Sequence, residues 1–141
     1  MRAPLLVASI VCLWTATFAA AQTADLEHLT PVRSITLRFS DGKFNVSRDQ
    51  RAQLEQLAKE AQHIDGYMIS IAAYAPVAGS EANTQRMSML RAHAIRATLQ
   101  QNGVPLANVI VPAMGISDPA DASSKNQEPR AIVTLLKNAG A

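Results

Sequence analysis

The sequence predicts an α+β fold, in which two helices cover one face of a four-stranded mixed sheet. Three observations support this prediction. Apolar and polar residues alternate over residues 35–39, as in a half-buried strand. Apolar residues recur at helical spacing in segments 47–62 and 84–102, and a short apolar run covers residues 67–74. The element order β-α-β-α-β-β is typical of a two-layer α/β sandwich.

The first helix has a clear start signal. Ser47 suits the N-cap because its side-chain oxygen can accept a hydrogen bond from a free backbone N–H group. Gln50, three residues later, completes a capping box. We expect this helix to continue to about residue 62. The residues predicted to line its buried face are Leu54, Leu57, Ala58 and Ala61.

The second strand and the second helix are also predicted from apolar patterns and from turn and cap residues. The run 67–74 is short and flanked by turn residues, which is typical of a central strand. The second helix is predicted to begin near Thr84 and to end at Asn102, because Gly103 suits a left-handed cap. The residues predicted to face the core are Met87, Leu90, Ala94, Ala97 and Leu99.

Two further strands are predicted near the end of the chain, over residues 109–114 and 131–136. Pro112 lacks an N–H group for the ladder, which favours an edge or a bulge. The polar segment 115–128 between the strands is predicted to be a loop.

The first 21 residues have the features of a secretory signal peptide. Arg2 gives a positive start, residues 4–18 are almost wholly apolar, and three alanines precede Gln22. The apolar run is too short to span a bilayer comfortably. We therefore predict cleavage before Gln22.

The remaining chain divides into a flexible polar leader, residues 22–31, and a single domain, residues 32–141. Cys12, the one cysteine of the sequence, lies within the predicted signal peptide. The exported product would then have no disulfide, so an ordinary hydrophobic core must stabilise it.

Composition and motifs argue against several function classes. The chain has 13 basic and 11 acidic residues, and no basic cluster is interleaved with aromatic residues as in nucleic-acid-binding proteins. His28, His63 and His93 lack the spacing of metal ligands. Neither a nucleophile elbow nor a phosphate-binding loop is present. We therefore predict a protein that is not an enzyme and has no metal site or cofactor.

One motif carries a family resemblance. Residues 87–92 (Met-Ser-Met-Leu-Arg-Ala) open the second helix, Gly103-Val104 ends it, and Arg130 leads the last strand. With the element order, these features resemble the OmpA-like domain, a non-catalytic module that holds Gram-negative envelope proteins on peptidoglycan. The helix of that family opens with Leu-Ser-x-x-Arg-Ala. The resemblance covers about residues 35–137.

The resemblance implies binding of the diaminopimelate residue of a peptidoglycan stem peptide. That ligand carries an ammonium and a carboxylate, and the family meets them with an aspartate and an arginine, whose planar fork suits a carboxylate. Here Arg91 matches the helix arginine and Arg130 the last-strand arginine. Thr84 occupies the position of a loop asparagine, with Asn83 one place earlier. Pro76 stands where the family has its aspartate, so the resemblance is degenerate at that position.

Loss of the aspartate predicts weak binding, because a hydrogen bond to a charged group contributes roughly 1.5–3 kcal/mol. Glu81 is a possible substitute carboxylate. The alternative is that Arg91 and Arg130 are structural, with the Arg91 stem packed on the sheet and its head bonded to loop carbonyls. The domain would then be a structural or protein-interaction module of the envelope.

The sequence therefore predicts a periplasmic protein associated with the cell wall or the outer membrane. Its expected ligand is peptidoglycan, with envelope proteins as possible further partners, and no nucleic acid.

The signal-peptide prediction can be tested directly. When the full chain is produced in a Gram-negative host, the protein in the periplasmic fraction should begin at Gln22, as determined by N-terminal sequencing or intact mass. A cytoplasmic protein with Met1 still attached would contradict the prediction.

Overall fold

The computed structural model describes residues 28–75, 80–111 and 129–140. Within these residues the chain forms four strands and two α-helices. The elements are β1 (Leu29–Arg38), α1 (Arg48–Ala61), β2 (Met68–Tyr74), α2 (Glu81–Gln101), β3 (Val109–Ile110) and β4 (Arg130–Asn138). A short 3-10 turn, Leu106–Asn108, precedes β3.

The strands form one sheet in the order β1-β4-β2-β3. β4 lies between β1 and β2 and pairs antiparallel with both, whereas β2 and β3 are parallel. The last strand of the chain is therefore inserted between two earlier ones. The predicted α+β fold with a four-stranded mixed sheet is confirmed.

The core occupies one face of this sheet. Because side chains alternate between faces along a strand, every second residue is buried throughout β2 and in β4 as far as Leu135. The buried residues of these two strands are Ile69, Ile71, Ala73, Ala131, Val133 and Leu135. They join buried residues of both helices in a single cluster, so α1 and α2 cover the same face.

Helix α1 agrees closely with its prediction. The Ser47 hydroxyl accepts a hydrogen bond from the backbone N–H of Gln50 at 3.3 Å, and the Gln50 side chain accepts one from the Ser47 backbone N–H at 2.9 Å. This is the predicted capping box. The buried residues of the helix are Leu54, Leu57, Ala58 and Ala61, as predicted.

Helix α2 buries only part of the predicted face: Leu99 is buried and Ala94 packs against the core as expected, but the other predicted residues do not lie fully in it. Ala97 is exposed, and Met87 and Leu90 are only half-buried, although all three were expected to face the core. The buried residues are Thr84, Ser88, Arg91, Ala92, Ile95, Thr98 and Leu99. Their spacing is helical, but four of them are polar or charged, so apolar periodicity alone points to a partly different face.

The ends of α2 show one difference and one agreement. The helix begins at Glu81 rather than Thr84, because the Ser80 side chain accepts a hydrogen bond from the Asn83 backbone N–H. At the other end, Gly103 has φ +88°, the left-handed conformation predicted for the cap. The backbone N–H groups of Gly103 and Val104 donate to the carbonyls of Gln100 and Leu99, which completes a Schellman motif.

Strand β1 is longer than predicted. It begins at Leu29 rather than residue 35, so residues 29–31 belong to the strand and not to a flexible leader. The pairing with β4 shifts register between Pro31 and Arg33, which marks a bulge. The bulge interrupts the alternation of side chains between the two faces of the sheet. The first part of β1 therefore lacks the apolar–polar alternation that predicted the strand over residues 35–39.

The last two strands are partly covered by the described residues. β4 extends the predicted segment 131–136 at both ends. β3 contains residues 109 and 110, whereas the predicted positions 112–114, including Pro112, lie outside the described residues, as does the predicted loop 115–128. Within the described part of the chain, neither helix is long and apolar enough to cross a membrane.

The core assignment predicts that a leucine-to-alanine substitution has very different effects on stability at two positions. Leu57 has 0% of its surface exposed, so Leu57→Ala should lower the free energy of unfolding by about 2–5 kcal/mol through lost burial and a residual cavity. Leu106 is 43% exposed, and Leu106→Ala should change it by less than about 0.5 kcal/mol. Urea denaturation measures both. Equal losses would contradict the proposed core.

Candidate functional site

The buried face of α2 contains an unusual number of polar side chains. Thr84, Ser88, Arg91 and Thr98 all lie within or against the apolar core. Buried polar groups are normally satisfied by hydrogen bonds, since an unsatisfied one costs free energy on folding. The partners of each side chain therefore indicate which of them have a structural role.

Arg91 is the only charged side chain among the buried residues of the described structure, with 2% of its surface exposed. Its Nε donates a hydrogen bond to the Lys43 carbonyl oxygen at 3.0 Å. Its Cζ lies 5.3 Å from the centroid of the Phe39 ring, within the range of a cation–π interaction. Arg91 thus connects α2 to the segment between β1 and α1.

The charge of Arg91 is poorly compensated. Burial lowers the pKa of its guanidinium, whereas the negative charge of Asp41 opposes that shift. Arginine nevertheless remains protonated in proteins, so this core contains a positive charge. Within the described residues no carboxylate forms an ion pair with Arg91. A buried charge without a direct counterion is unfavourable, and an arriving anion would relieve it.

Among the side chains that the structure describes, two buried atoms, Arg91 Nη1 and Ser88 Oγ, have no hydrogen-bond partner. The two residues are three positions apart on α2, so their side chains lie on the same helix face. Sequence reasoning used Ser88 only as part of a motif. The signal that could have identified it is its i,i+3 spacing from the predicted site arginine.

Of the two predicted site residues near the start of α2, one shares the face of Arg91. The buried Thr84 hydroxyl donates to the Ser80 carbonyl at 3.3 Å. Asn83 is exposed, and its backbone N–H is taken up by the Ser80 cap. The structure therefore groups Thr84 with Ser88 and Arg91, and places Asn83 outside this group.

Arg130 lies on the other side of the sheet from Arg91. It is the first residue of β4, and its Cζ is 5.9 Å from the centroid of the Tyr74 ring, its cross-strand neighbour. The next residue, Ala131, faces the helices and is fully buried, so Arg130 faces away from them. The structure does not bring the two arginine side chains to one face.

Both arginines nevertheless lie at the same end of the sheet. Phe39, whose ring lies against the Arg91 guanidinium, donates its backbone N–H to the Pro129 carbonyl at 2.8 Å. Pro129 immediately precedes Arg130. A ligand that wraps around this end of the sheet could therefore contact both faces.

Pro76, at the position of the family aspartate, and the side chain of Glu81 lie outside the described residues. Among the side chains that are described, no group of three or more His, Cys, Asp or Glu residues is arranged to hold a metal ion.

Comparison with known proteins identifies the domain type. The sequence profile of the OmpA family matches residues 38–132. The peptidoglycan-associated lipoprotein from Burkholderia pseudomallei is similar in structure, with a TM-score of 0.62 and 23% identity over 71% of this chain and 88% of that one. The C-terminal domain of Helicobacter pylori MotB gives a TM-score of 0.63 and 15% identity, over 75% and 87% of the two chains.

A third similar structure is the OmpA-like domain of FopA1 from Francisella tularensis subsp. tularensis SCHU S4. Its TM-score is 0.59 at 17% identity, with 74% of this chain and 72% of that one covered. At these identities the likeness concerns the fold. No curated protein sequence matches the chain.

The environment of Arg91 predicts different results for two substitutions. Arg91→Met keeps an unbranched side chain in the core and removes the buried charge. The lost hydrogen bond to Lys43, roughly 1.5–3 kcal/mol, and the lost Phe39 contact, about 1 kcal/mol, are offset by relief of desolvation. We therefore expect its free energy of unfolding to lie within about 1 kcal/mol of that of the wild type.

Arg91→Ala should instead lower that free energy by about 2–4 kcal/mol, because it leaves a cavity. Urea denaturation of both variants provides the measurement. If Arg91→Met is as destabilising as Arg91→Ala, the guanidinium itself maintains the fold.

Proposed function

Because the chain belongs to the OmpA family, we propose that it is a non-catalytic envelope protein that binds peptidoglycan weakly through the face of α2 that carries Arg91. The ligand would be the diaminopimelate residue of a stem peptide. The name of one structural neighbour, a peptidoglycan-associated lipoprotein, supports this ligand class.

The observation that carries the proposal is the unsatisfied Nη1 atom of Arg91. A guanidinium held by Lys43 and Phe39 is fixed in position, yet one of its donor groups has no described acceptor. A ligand carboxylate would supply both the missing acceptor and the missing negative charge, and such charged hydrogen bonds are among the strong ones. Arg91 is therefore the proposed principal ligand residue.

Two features make the proposed binding weak. Pro76 in place of aspartate leaves the ligand ammonium without the family's partner, which should reduce affinity by roughly 10- to 150-fold. Arg91 is also almost fully covered, so a ligand must displace whatever shields Nη1. The free energy of that displacement is subtracted from the binding free energy.

The other predicted site residues receive subsidiary roles. The Thr84 hydroxyl is bonded to the helix start, so we assign it to positioning α2. Asn83 and Arg130 are proposed as outer contacts. α2 starts a few residues after β2 ends at Tyr74, the cross-strand neighbour of Arg130, so both residues lie near one end of the sheet. An extended polymer such as peptidoglycan could reach both.

The proposed location is the periplasm, with association to the cell wall or the outer membrane. The predicted signal peptide, residues 1–21, would direct the chain there. The envelope character of the family supports this location.

One observation favours a second function. Arg91 already has a carbonyl partner and an aromatic partner within the domain, and it is almost inaccessible. Those contacts are what a structural arginine would make. In this alternative, peptidoglycan binding has been lost and the domain is a structural or protein-interaction module of the envelope.

Co-sedimentation with purified sacculi separates the two functions. Under the first, the wild type pellets with sacculi, and Arg91→Met, which removes the charge while retaining the side-chain bulk, abolishes pelleting. Arg86 is an exposed arginine on the same helix, so Arg86→Met should leave pelleting unchanged and controls for net charge. Wild-type pelleting no greater than that of an unrelated periplasmic protein would rule out the peptidoglycan function.

Restoring the family aspartate should strengthen the interaction. Pro76→Asp would return a carboxylate partner to the ligand ammonium, with an expected gain of roughly 10- to 150-fold in affinity for sacculi. The double variant Pro76→Asp with Arg91→Met should lose most of this gain. A gain that persists without Arg91 would mean that the new carboxylate acts elsewhere.

A further inference from the structure

We propose that the groove between α1 and α2 binds the C-terminal end of a partner protein, with its terminal carboxylate on Arg51 and a small apolar side chain beside it. On α2 the groove begins about one turn beyond Arg91, and that arginine does not line it. The proposal therefore goes beyond peptidoglycan binding and does not depend on it.

The size and the apolar lining of the groove limit what it can hold. It is an open cleft of about 250 Å³, and its apolar lining residues are Val46, Ala94 and Ala97. This volume is below the roughly 300–1,000 Å³ of pockets that hold drug-sized ligands. The groove therefore suits one or two amino-acid residues with side chains of about the size of a methyl group.

Two hydrogen bonds between side chain and backbone hold the walls of the groove together. At one end, Arg91 Nε donates to the Lys43 carbonyl at 3.0 Å, and at the other, Gln62 Nε2 donates to the Asn102 carbonyl at 3.2 Å. The lining residues of α2 lie between positions 91 and 102 of the chain. The groove is thus present before a ligand arrives, which reduces the ordering cost of binding.

The charge of the lining selects an anionic ligand. Arg51 is the charged residue among the described lining residues, and it makes no ion pair within the described part of the chain. Its ordinary helical partner would be Glu55, four residues later, but that carboxylate is bonded to Lys59 at 2.7 Å. A ligand carboxylate fits the planar fork of a guanidinium. A ligand ammonium finds no carboxylate in this lining, which disfavours a stem peptide that carries diaminopimelate.

The uncharged polar residues of the lining favour a peptide over a bare anion. Asn45 and Gln101 have side-chain amides, which both donate and accept hydrogen bonds, as a peptide group does. The Thr98 hydroxyl donates to the Ala94 carbonyl at 2.9 Å, and its oxygen can still accept. A peptide group next to the carboxylate would use these donors and acceptors, whereas a bare anion would leave the acceptors unused. Capture of a chain end is a known mode of peptide recognition.

The ligand class is tested with N-acetyl-alanyl-alanine and with its C-terminal amide, which has nearly the same shape and no charge. The measurement is an NMR titration that follows the backbone amide signals of residues 94–101 and the side-chain NH₂ signals of Asn45 and Gln101. We expect the acid to bind with a Kd on the order of 1 mM, as typical per-atom affinities give for a molecule of this size. The amide should bind at least about fivefold more weakly, because an exposed charged hydrogen bond is lost. Equal binding of the two would overturn the proposal.

Two variants and their matched controls locate the site. Arg51→Gln should weaken binding of the acid about five- to tenfold and leave binding of the amide unchanged. Ala97→Leu should fill the groove and abolish binding of both. Arg86→Gln removes an exposed arginine outside the lining, and Ala52→Leu enlarges an exposed alanine outside it, so neither should change binding. All four positions are exposed, so the urea midpoints should equal that of the wild type.

The remaining outcomes decide the partner and separate this inference from the proposed function. Wild-type binding that is absent, or that persists in Ala97→Leu, would overturn the groove as a site. Equal or tighter binding of N-acetyl-D-alanyl-D-alanine would indicate a cell-wall peptide and would overturn the protein partner. Binding of the L-peptide without pelleting on sacculi supports this inference while the peptidoglycan function fails. Pelleting without peptide binding gives the opposite result.

Discussion

The positive charge of Arg91 inside the core is the constraint to which the rest of this site is fitted. Placing a guanidinium among apolar side chains is unfavourable, and the domain compensates with the Lys43 carbonyl and the Phe39 ring. Both partners come from the segment between β1 and α1, so Arg91 connects α2 to that segment. The compensation is incomplete, because Nη1 has no described acceptor. That deficit is the physical basis for proposing an anionic ligand.

Apolar periodicity predicted the fold because most elements follow it. The alternation in β4 and the apolar stripe of α1 are both regular, so their buried residues could be identified in advance. The element order then left few topologies to consider. The pattern could not predict that β4 lies between β1 and β2, because this arrangement depends on contacts between distant parts of the chain.

The site was harder to predict than the fold, for reasons that particular residues show. The family resemblance proposed Arg91 and Thr84, but α2 also buries Ser88 and Thr98 on the same face, and apolar periodicity gives no signal for polar residues such as these. Arg130 was assigned to the same ligand because the family uses both arginines. The pleat of β4 places it on the opposite face of the sheet, which cannot be seen without the register of the strand.

The bulge in β1 has a consequence for the behaviour of the protein in solution. Among the described strands β1 is outermost, and an outermost strand offers free backbone groups to any other chain with β-forming potential. Pro31 has no N–H group to offer, and the register shift beside it interrupts the regular row of donors and acceptors. The β1 edge of the sheet is therefore a poor template for aggregation, even though Val32, an apolar residue on this edge, is 46% exposed.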